Sequence, residues 1–279
     1  MLKPDDIHLC QPGPEKSCGA CCGLYNYRNS TRESLAARLE ARRVLFSDTV
    51  RSRDDLETFS RLITSQESME KRYEVIHCCE YLGFLDEHRQ RVGCLLHPFQ
   101  NRGEDLRDIS FYGRELCDGH FCPSYHHLAR WEQKAVVNAI DDWYLYGLAI
   151  TDIDLVKEYF RPIAEALGET PDPERMKSGP LKDQVQQFFS FKLTWPFRSP
   201  DTNRLGKYYF DGSQYMISHI DYDVLGCERS RFDKIFLSLT SQFTSFRELR
   251  KAEALIDQAL QAFISLYRES NDAVDSSAG

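Results

Sequence analysis

Nine of the ten cysteines fall between residues 10 and 122, and only Cys227 lies beyond them. Thiols that served only as small buried hydrophobes would scatter along the chain. Thiols bunched in one half of a protein kept in a reducing compartment point instead to metal binding or catalysis. The N-terminus, MLKPDDIHLCQPGPEKS, has no apolar core of the secretory kind. No run approaches the roughly 18 apolar residues of a membrane span. A cytoplasmic setting without membrane attachment is therefore expected.

The patterning predicts a mainly helical α+β fold. An irregular cysteine-rich metal-binding core over residues 1–127 precedes a helical extension with a small β-hairpin over 128–279. Ser30-Thr31-Arg32-Glu33 has the form of a capping box, followed by Leu35, Leu39 and Phe46 on one face of a helix over 31–46. Leu56, Phe59 and Ile63 mark a second helix over 53–71. Residues 72–125 are broken by Gly83, Gly93, Gly103, Gly113 and Gly119 and hold few apolar faces of their own. Such a segment needs another source of order, which a metal centre supplies.

Beyond Trp131, Ala135, Ala139, Ile140 and Trp143 form a stripe reaching towards Gly147. Leu155, Val156, Tyr159, Ile163 and Leu167 form another, stopped by Gly168, with a kink expected at Pro162. Residues 170–180 carry three prolines and Gly179 and read as a loop. Tyr208 to Ile220, with Asp211-Gly212 at its middle, has a hairpin pattern. Ser245 and Glu248 open a long amphipathic helix from Leu249 to Leu266.

The strongest local motif is Cys18-Gly-Ala-Cys21-Cys22-Gly23, with Cys10 upstream. A Cys-x-x-Cys turn brings two sulfurs to one metal, and glycine lets backbone amides approach thiolates. Neighbouring side chains diverge, so Cys21 and Cys22 serve either two metals, or one metal and a packing role. A second group comprises Cys78, Cys79, Cys94, Cys117 and Cys122, in which Cys117-Asp-Gly-His-Phe-Cys122 forms another short chelating loop. The candidate metal ligands are Cys10, Cys18, Cys21, Cys22, Cys79, Cys94, Cys117 and Cys122. Cys78 and Cys227 read as buried apolar residues. His97 and His120 read as hydrogen-bonding neighbours of thiolates, and His126-His127 as residues leading into the next helix. Four thiolates suit zinc and an iron–sulfur cluster equally. Eight can build two four-ligand sites or one bridged cluster.

These motifs, in this order, resemble the cysteine-cluster family described as a putative zinc- or iron-chelating domain of the CxxCxxCC type. The matching elements are CGACCG at 18–23, Cys79 followed by Phe84-Leu85-Asp86, VGCLLHP around Cys94, and Cys117-x4-Cys122. They span residues 10 to about 125. The chain is a divergent member on this reading. The family's first cysteine aligns with Glu15, leaving Cys10 to replace it, and Asp118 stands where an arginine commonly follows the penultimate cysteine. The resemblance implies zinc or iron and no particular reaction.

Other chemistries find little support. The chain carries 43 acidic and 35 basic residues, a balance that argues against a phosphate-binding, nucleic-acid surface. Arg38, Arg42 and Arg43 read as a solvated helix face. There is no Gly-rich phosphate loop, no H-E-x-x-H pair and no C-x3-C-x2-C spacing. Asp141-Asp142, Asp152 and Asp154 have a ready role at helix starts. The first expectation is a protein whose metal is structural or is handled together with electrons. The second is an enzyme whose metal keeps an open position. A thiol redox protein using Cys18 and Cys21 ranks third, because the motif lacks the βαβ context. No protein partner is indicated.

Overall fold

A computed structural model describes residues 7–68, 70–200 and 206–277. The stretch 1–6, part of the segment read as lacking a secretory core, lies outside the described residues. The fold is mainly helical α+β with two small two-stranded sheets, as the patterning predicts. No described helix is long and apolar enough to cross a membrane. The chain packs into two compact units. Unit 1 takes the residues up to Cys122 together with Asp142–Gly147 and Gly212–Gln214. Unit 2 takes Pro123–Asp141, Leu148–Asp211 and Tyr215–Gly279.

In unit 1, α1 (Arg32–Thr49) and α2 (Asp55–Gln66) precede a hairpin of β1 (Leu82–Phe84) and β2 (Val92–Cys94), and α3 (Gly113–Gly119) follows. The cap of α1 falls one residue later than the sequence suggests. Thr31, in extended conformation, accepts the Ser34 amide at 3.3 Å. The predicted apolar face of α2 is buried as Leu56, Phe59 and Ile63, which pack with Cys79, Tyr81, Leu95, Leu96 and Leu106. The hairpin was hidden by its composition. Both strands contain glycine and are buried on both faces, so no alternation marks them. A Cβ at Gly83 would meet the Leu95 side chain at 3.0 Å and one at Gly93 would meet Leu85 at 2.6 Å.

The basic stretch on α1 is not a solvated face. Arg42 is completely buried. Its guanidinium donates to both carboxylate oxygens of Glu67 at 2.8 Å, to the carbonyls of Cys79 at 2.8 Å and Leu82 at 3.1 Å, and to the Tyr27 hydroxyl at 2.8 Å. Arg38 pairs with the same Glu67, and Arg43 with Glu40. Spacing along the helix placed Arg42 among charged neighbours. It could not reveal the acceptors waiting on a distant strand.

The elements beyond α3 are α4 (Pro123–His127), α5 (Arg130–Ala139), α6 (Trp143–Ile150), α7 (Ile153–Leu167), α8 (Gly179–Phe189), α9 (Phe191–Thr194), β3 (Tyr208–Asp211), β4 (Gln214–Ile217), α10 (Asp233–Ser238) and α11 (Phe246–Ser277). The single stripe read from Ala135 to Gly147 is two helices, α5 and α6. Ile140 is extended, with φ −111° and ψ 113°, and Asp142 accepts the Tyr144 amide at 2.7 Å, opening a new turn. Helix α7 continues through Pro162 and stops at Gly168 in the left-handed region, φ 75°. Asp152 caps α7 through the Leu155 amide at 3.0 Å and receives the buried Lys192 ammonium at 2.5 Å. It is thus a structural carboxylate, as its position before a helix suggests. Helix α8 lies partly inside the proline-rich stretch read as a loop, with Pro180 tolerated in its first turn.

Tyr159 in α7 is completely buried and stacks on Phe188 with centroids 4.0 Å apart. Its hydroxyl has no hydrogen-bond partner among the described residues. A buried hydroxyl left unpaired costs stability. Tyr159→Phe is therefore expected to raise the stability of unit 2 by about 1 kcal/mol, read by thermal unfolding of the full chain. A loss of similar size would show that the hydroxyl is satisfied.

Candidate metal centre

All ten cysteines are free thiols, and the eight candidate ligands all belong to unit 1. The CGACCG motif folds as two successive single turns of 3-10 helix, Ala20–Cys22 and Leu24–Asn26, joined at Gly23. Gly23 is required here: its φ is +80°, and a Cβ would lie 2.1 Å from the His77 carbonyl oxygen. This close approach seats the motif against the segment that carries Cys78 and Cys79, and the Cys79 amide donates to the Cys22 carbonyl at 3.0 Å. On the other side the Cys18 amide donates to the Cys10 carbonyl at 2.9 Å. A 3-10 turn has three residues, so consecutive side chains point about 120° apart. Accordingly Cys21 is exposed, while Cys22 is half-buried and packs against the core that includes Cys79.

The β1–β2 hairpin aligns the second group. Its turn is held by Asp86, which accepts the Arg91 amide at 2.8 Å. Leu82 pairs with Cys94 in the antiparallel register, and the Leu82 amide faces the Cys79 carbonyl. Cys79 and Cys94 therefore lie at the same end of the hairpin. Cys117, on α3, is exposed, and its Sγ stands 3.6 Å from the Ser110 hydroxyl. Arg107 donates to the Cys117 carbonyl at 3.4 Å and to Asp118 at 2.9 Å. Cys122 is buried. Near it Phe121 packs against the His8 ring, and the Tyr146 hydroxyl donates to the Leu9 carbonyl at 2.8 Å.

Burial pushes the Cys10 thiol up to about 12, and the neighbouring charges of Cys122 and Cys21 add to the rise. Cys21 is pushed up to about 11 by burial and then by Cys122. Cys18 rises well above the ordinary thiol range by burial and then by Cys10, against a lowering hydrogen bond from the Ala20 amide at 3.5 Å. Cys22 also rises far, by burial and then chiefly by Cys79 and Cys94. Burial brings Cys79 to about 12, with Cys94 adding to it. Burial likewise brings Cys94 to about 11, with Cys117 among the groups raising it. The Tyr81 and Leu96 amides donate to the sulfurs of Cys79 and Cys94 and oppose these rises. A cation bound among such thiols displaces their protons and offsets the repulsion that the resulting thiolates would otherwise suffer.

Cys78 is not part of this arrangement. It is buried, donates to the Gly23 carbonyl at 3.4 Å and receives the Asn26 amide at 3.7 Å. Cys227 belongs to unit 2 and is half-buried rather than buried. His97 accepts the Phe99 amide at 3.2 Å and caps a short turn, while His120 is exposed. His126 and His127 end α4.

Two further donors were not read from the sequence. His77, Cys79 and Glu80 present ligand atoms that all lie within 4.8 Å of one another. Among the described residues no three of the eight candidate sulfurs come that close. His77 stacks on Phe111 at 4.2 Å, and Glu80 accepts the Ser60 hydroxyl at 3.1 Å. The signal in the sequence is the contiguous run His77-Cys78-Cys79-Glu80, with a donor on each side of the cysteine pair.

Exposure sets an order of reactivity in metal-free, reduced protein. Alkylation followed by peptide mapping is expected to find the exposed Cys117 modified before the buried Cys78, whose thiol burial pushes up. Early modification of Cys78 would contradict its place in the core. Comparison of the chain with protein-family models, with curated proteins and with solved structures gave no match.

Proposed function

We propose that unit 1 is a metal-binding module in which Cys10, Cys18, Cys21, Cys22, Cys79, Cys94, Cys117 and Cys122 hold zinc, iron or an iron–sulfur cluster as thiolates. The observation that carries this reading is that eight free thiols lie within one unit, six of them raised by burial with other thiols adding to the rise. The all-sulfur donor set fits soft or borderline metals and excludes a calcium- or magnesium-type site. The amides of Ala20, Tyr81 and Leu96 are already directed at sulfurs and favour the thiolate form.

Four thiolates suit a tetrahedral zinc and an iron–sulfur cluster equally. A centre of either kind supplies structural support, and one with iron also supplies electron transfer. The setting is cytoplasmic, where thiols stay reduced, and the chain is a divergent member of the cysteine-cluster family.

A second reading draws on the trio His77, Cys79 and Glu80. A nitrogen, a sulfur and a carboxylate oxygen leave one position of a tetrahedral zinc open, the arrangement of a catalytic site. Cys79 cannot serve both arrangements at once. Anaerobic purification with assays for iron, zinc and acid-labile sulfide separates the readings. Brown protein with sulfide supports the cluster, and colourless protein with zinc supports the ion. Zinc that survives Cys94→Ala but not His77→Ala identifies the trio as the site. Protein with neither metal nor sulfide, and with all ten thiols reactive, overturns the proposal.

A further inference from the structure

The eight thiols divide into two sets of four, and the division falls between two consecutive residues. We infer that the chain holds two separate metal centres, one on Cys10, Cys18, Cys21 and Cys122 and the other on Cys22, Cys79, Cys94 and Cys117. The inference rests on the metal-binding reading above and deepens it.

Three observations carry the partition. The first is local geometry. The 3-10 turn Ala20–Cys22 sends the side chains of Cys21 and Cys22 in different directions, one to the surface and one against the apolar cluster that holds Cys79. The second is where the backbone brings the flanking cysteines. Cys10 is tied to Cys18 on one side of the motif, and Cys79 is tied to Cys22 on the other. The hairpin register then adds Cys94 to the second side, and Cys22, Cys79 and Cys94 all border one apolar cluster together with Ile109. None of Cys10, Cys18, Cys21 and Cys122 borders it. The third is where the last two ligands fall. Phe121 packs against the His8 ring, which brings Cys122 beside the Cys10 segment, whereas the Cys117 sulfur stands 3.6 Å from the hydroxyl of Ser110, next to Ile109 on the cluster that Cys22 and Cys94 border.

Each set contains one exposed ligand, Cys21 in the first and Cys117 in the second. Each also has one buried ligand, Cys122 and Cys79 respectively. The two centres are therefore comparable in burial and are joined by one peptide bond. A single bridged eight-thiolate cluster would instead need the sulfurs of Cys21 and Cys22 to converge on shared metals.

The test compares full-length chains purified without oxygen. Cys10→Ala/Cys21→Ala removes two ligands from the first set, and Cys94→Ala/Cys117→Ala removes two from the second. Metal and sulfide per chain are measured as purified, and circular dichroism reports whether each variant is folded. Cobalt(II) titration of the reduced, metal-free chains counts tetrathiolate sites by their visible and charge-transfer bands. Each variant is expected to retain half the native metal and one of two cobalt sites, and a chain with all four substitutions should retain neither. Cys21→Ala and Cys22→Ala should perturb different halves of the native spectrum, and this comparison decides the matter if a double variant misfolds. Complete loss of metal from a folded double variant, or the same spectral change from Cys21→Ala and Cys22→Ala, overturns the partition while leaving metal binding intact. A wild-type chain with ten reactive thiols and no affinity for any of these metals overturns the metal-binding reading and the partition with it.

Discussion

Replacing Arg42 with methionine is expected to cost unit 1 about 3–5 kcal/mol, the range for removing one partner of a buried ion pair. The loss comes from what remains as much as from what is removed. Glu67 keeps a carboxylate within a largely buried pocket, with Arg38 as its remaining ion-pair partner, and the carbonyls of Cys79 and Leu82 lose a charged donor. Methionine fills much of the volume but satisfies none of these groups. Because Arg42 holds the Cys79 carbonyl, the variant should also release metal more readily than wild type. Hydrogen exchange across α1 and β1, compared with exchange in unit 2, measures the local loss. A change below about 1 kcal/mol would place Arg42 among the ordinary surface pairs.

A second large effect concerns pH. Six of the eight thiols lie well above neutrality, three in each proposed set: Cys10, Cys18 and Cys21 in one, and Cys22, Cys79 and Cys94 in the other. At pH 7 these six carry protons that a metal must displace. Loading either centre should therefore release at least three protons, and the apparent affinity should fall at least about a thousandfold for each unit of decreasing pH. Calorimetric titration with zinc in buffers of different ionisation enthalpy counts the protons. Release of fewer than two per metal would show that the thiols concerned are not the ligands.

For the metal-free chain the sign is reversed. A thiol whose folded value is raised above its unfolded value stabilises the fold while it is protonated, and that stability is lost as pH rises through the folded value. Unit 1 without metal should thus weaken between pH 9 and about 12, where Cys10 and Cys79 titrate.

Much of this was legible in the sequence, and the remainder was hidden for identifiable reasons. The bunching of cysteines, the helical stripes of α2 and α7, and the Gly168 stop all depend on local spacing, and the structure has them where the spacing puts them. The β1–β2 hairpin was missed because strands buried on both faces, with glycine at their centres, show no alternation. Arg42 was misread because its acceptors are the end of α2 and a strand some forty residues onward. For the adjacent pair Cys21 and Cys22 the sequence leaves two metals, or one metal and a packing role, both open; the 3-10 turn brings one side chain to the surface and packs the other against an apolar cluster. His77 and Glu80 flank two cysteines, and only the folded chain shows which of the four donors meet.

The proposed pairing of Cys10 with Cys122 in one set has a consequence for how the protein is made. Each proposed set takes its last ligand from the segment Cys117–Cys122, far along the sequence from Cys10. A chain growing from its N-terminus cannot complete either set until that segment has emerged from the ribosome. Until then the thiols of the CGACCG loop stand open beside incomplete partners, and closing so long a loop carries an entropic cost that the metal must offset. On the metal-binding reading, synthesis speed and metal supply would thereby be coupled: a chain that stalls before residue 117 would present open cysteines and no finished site.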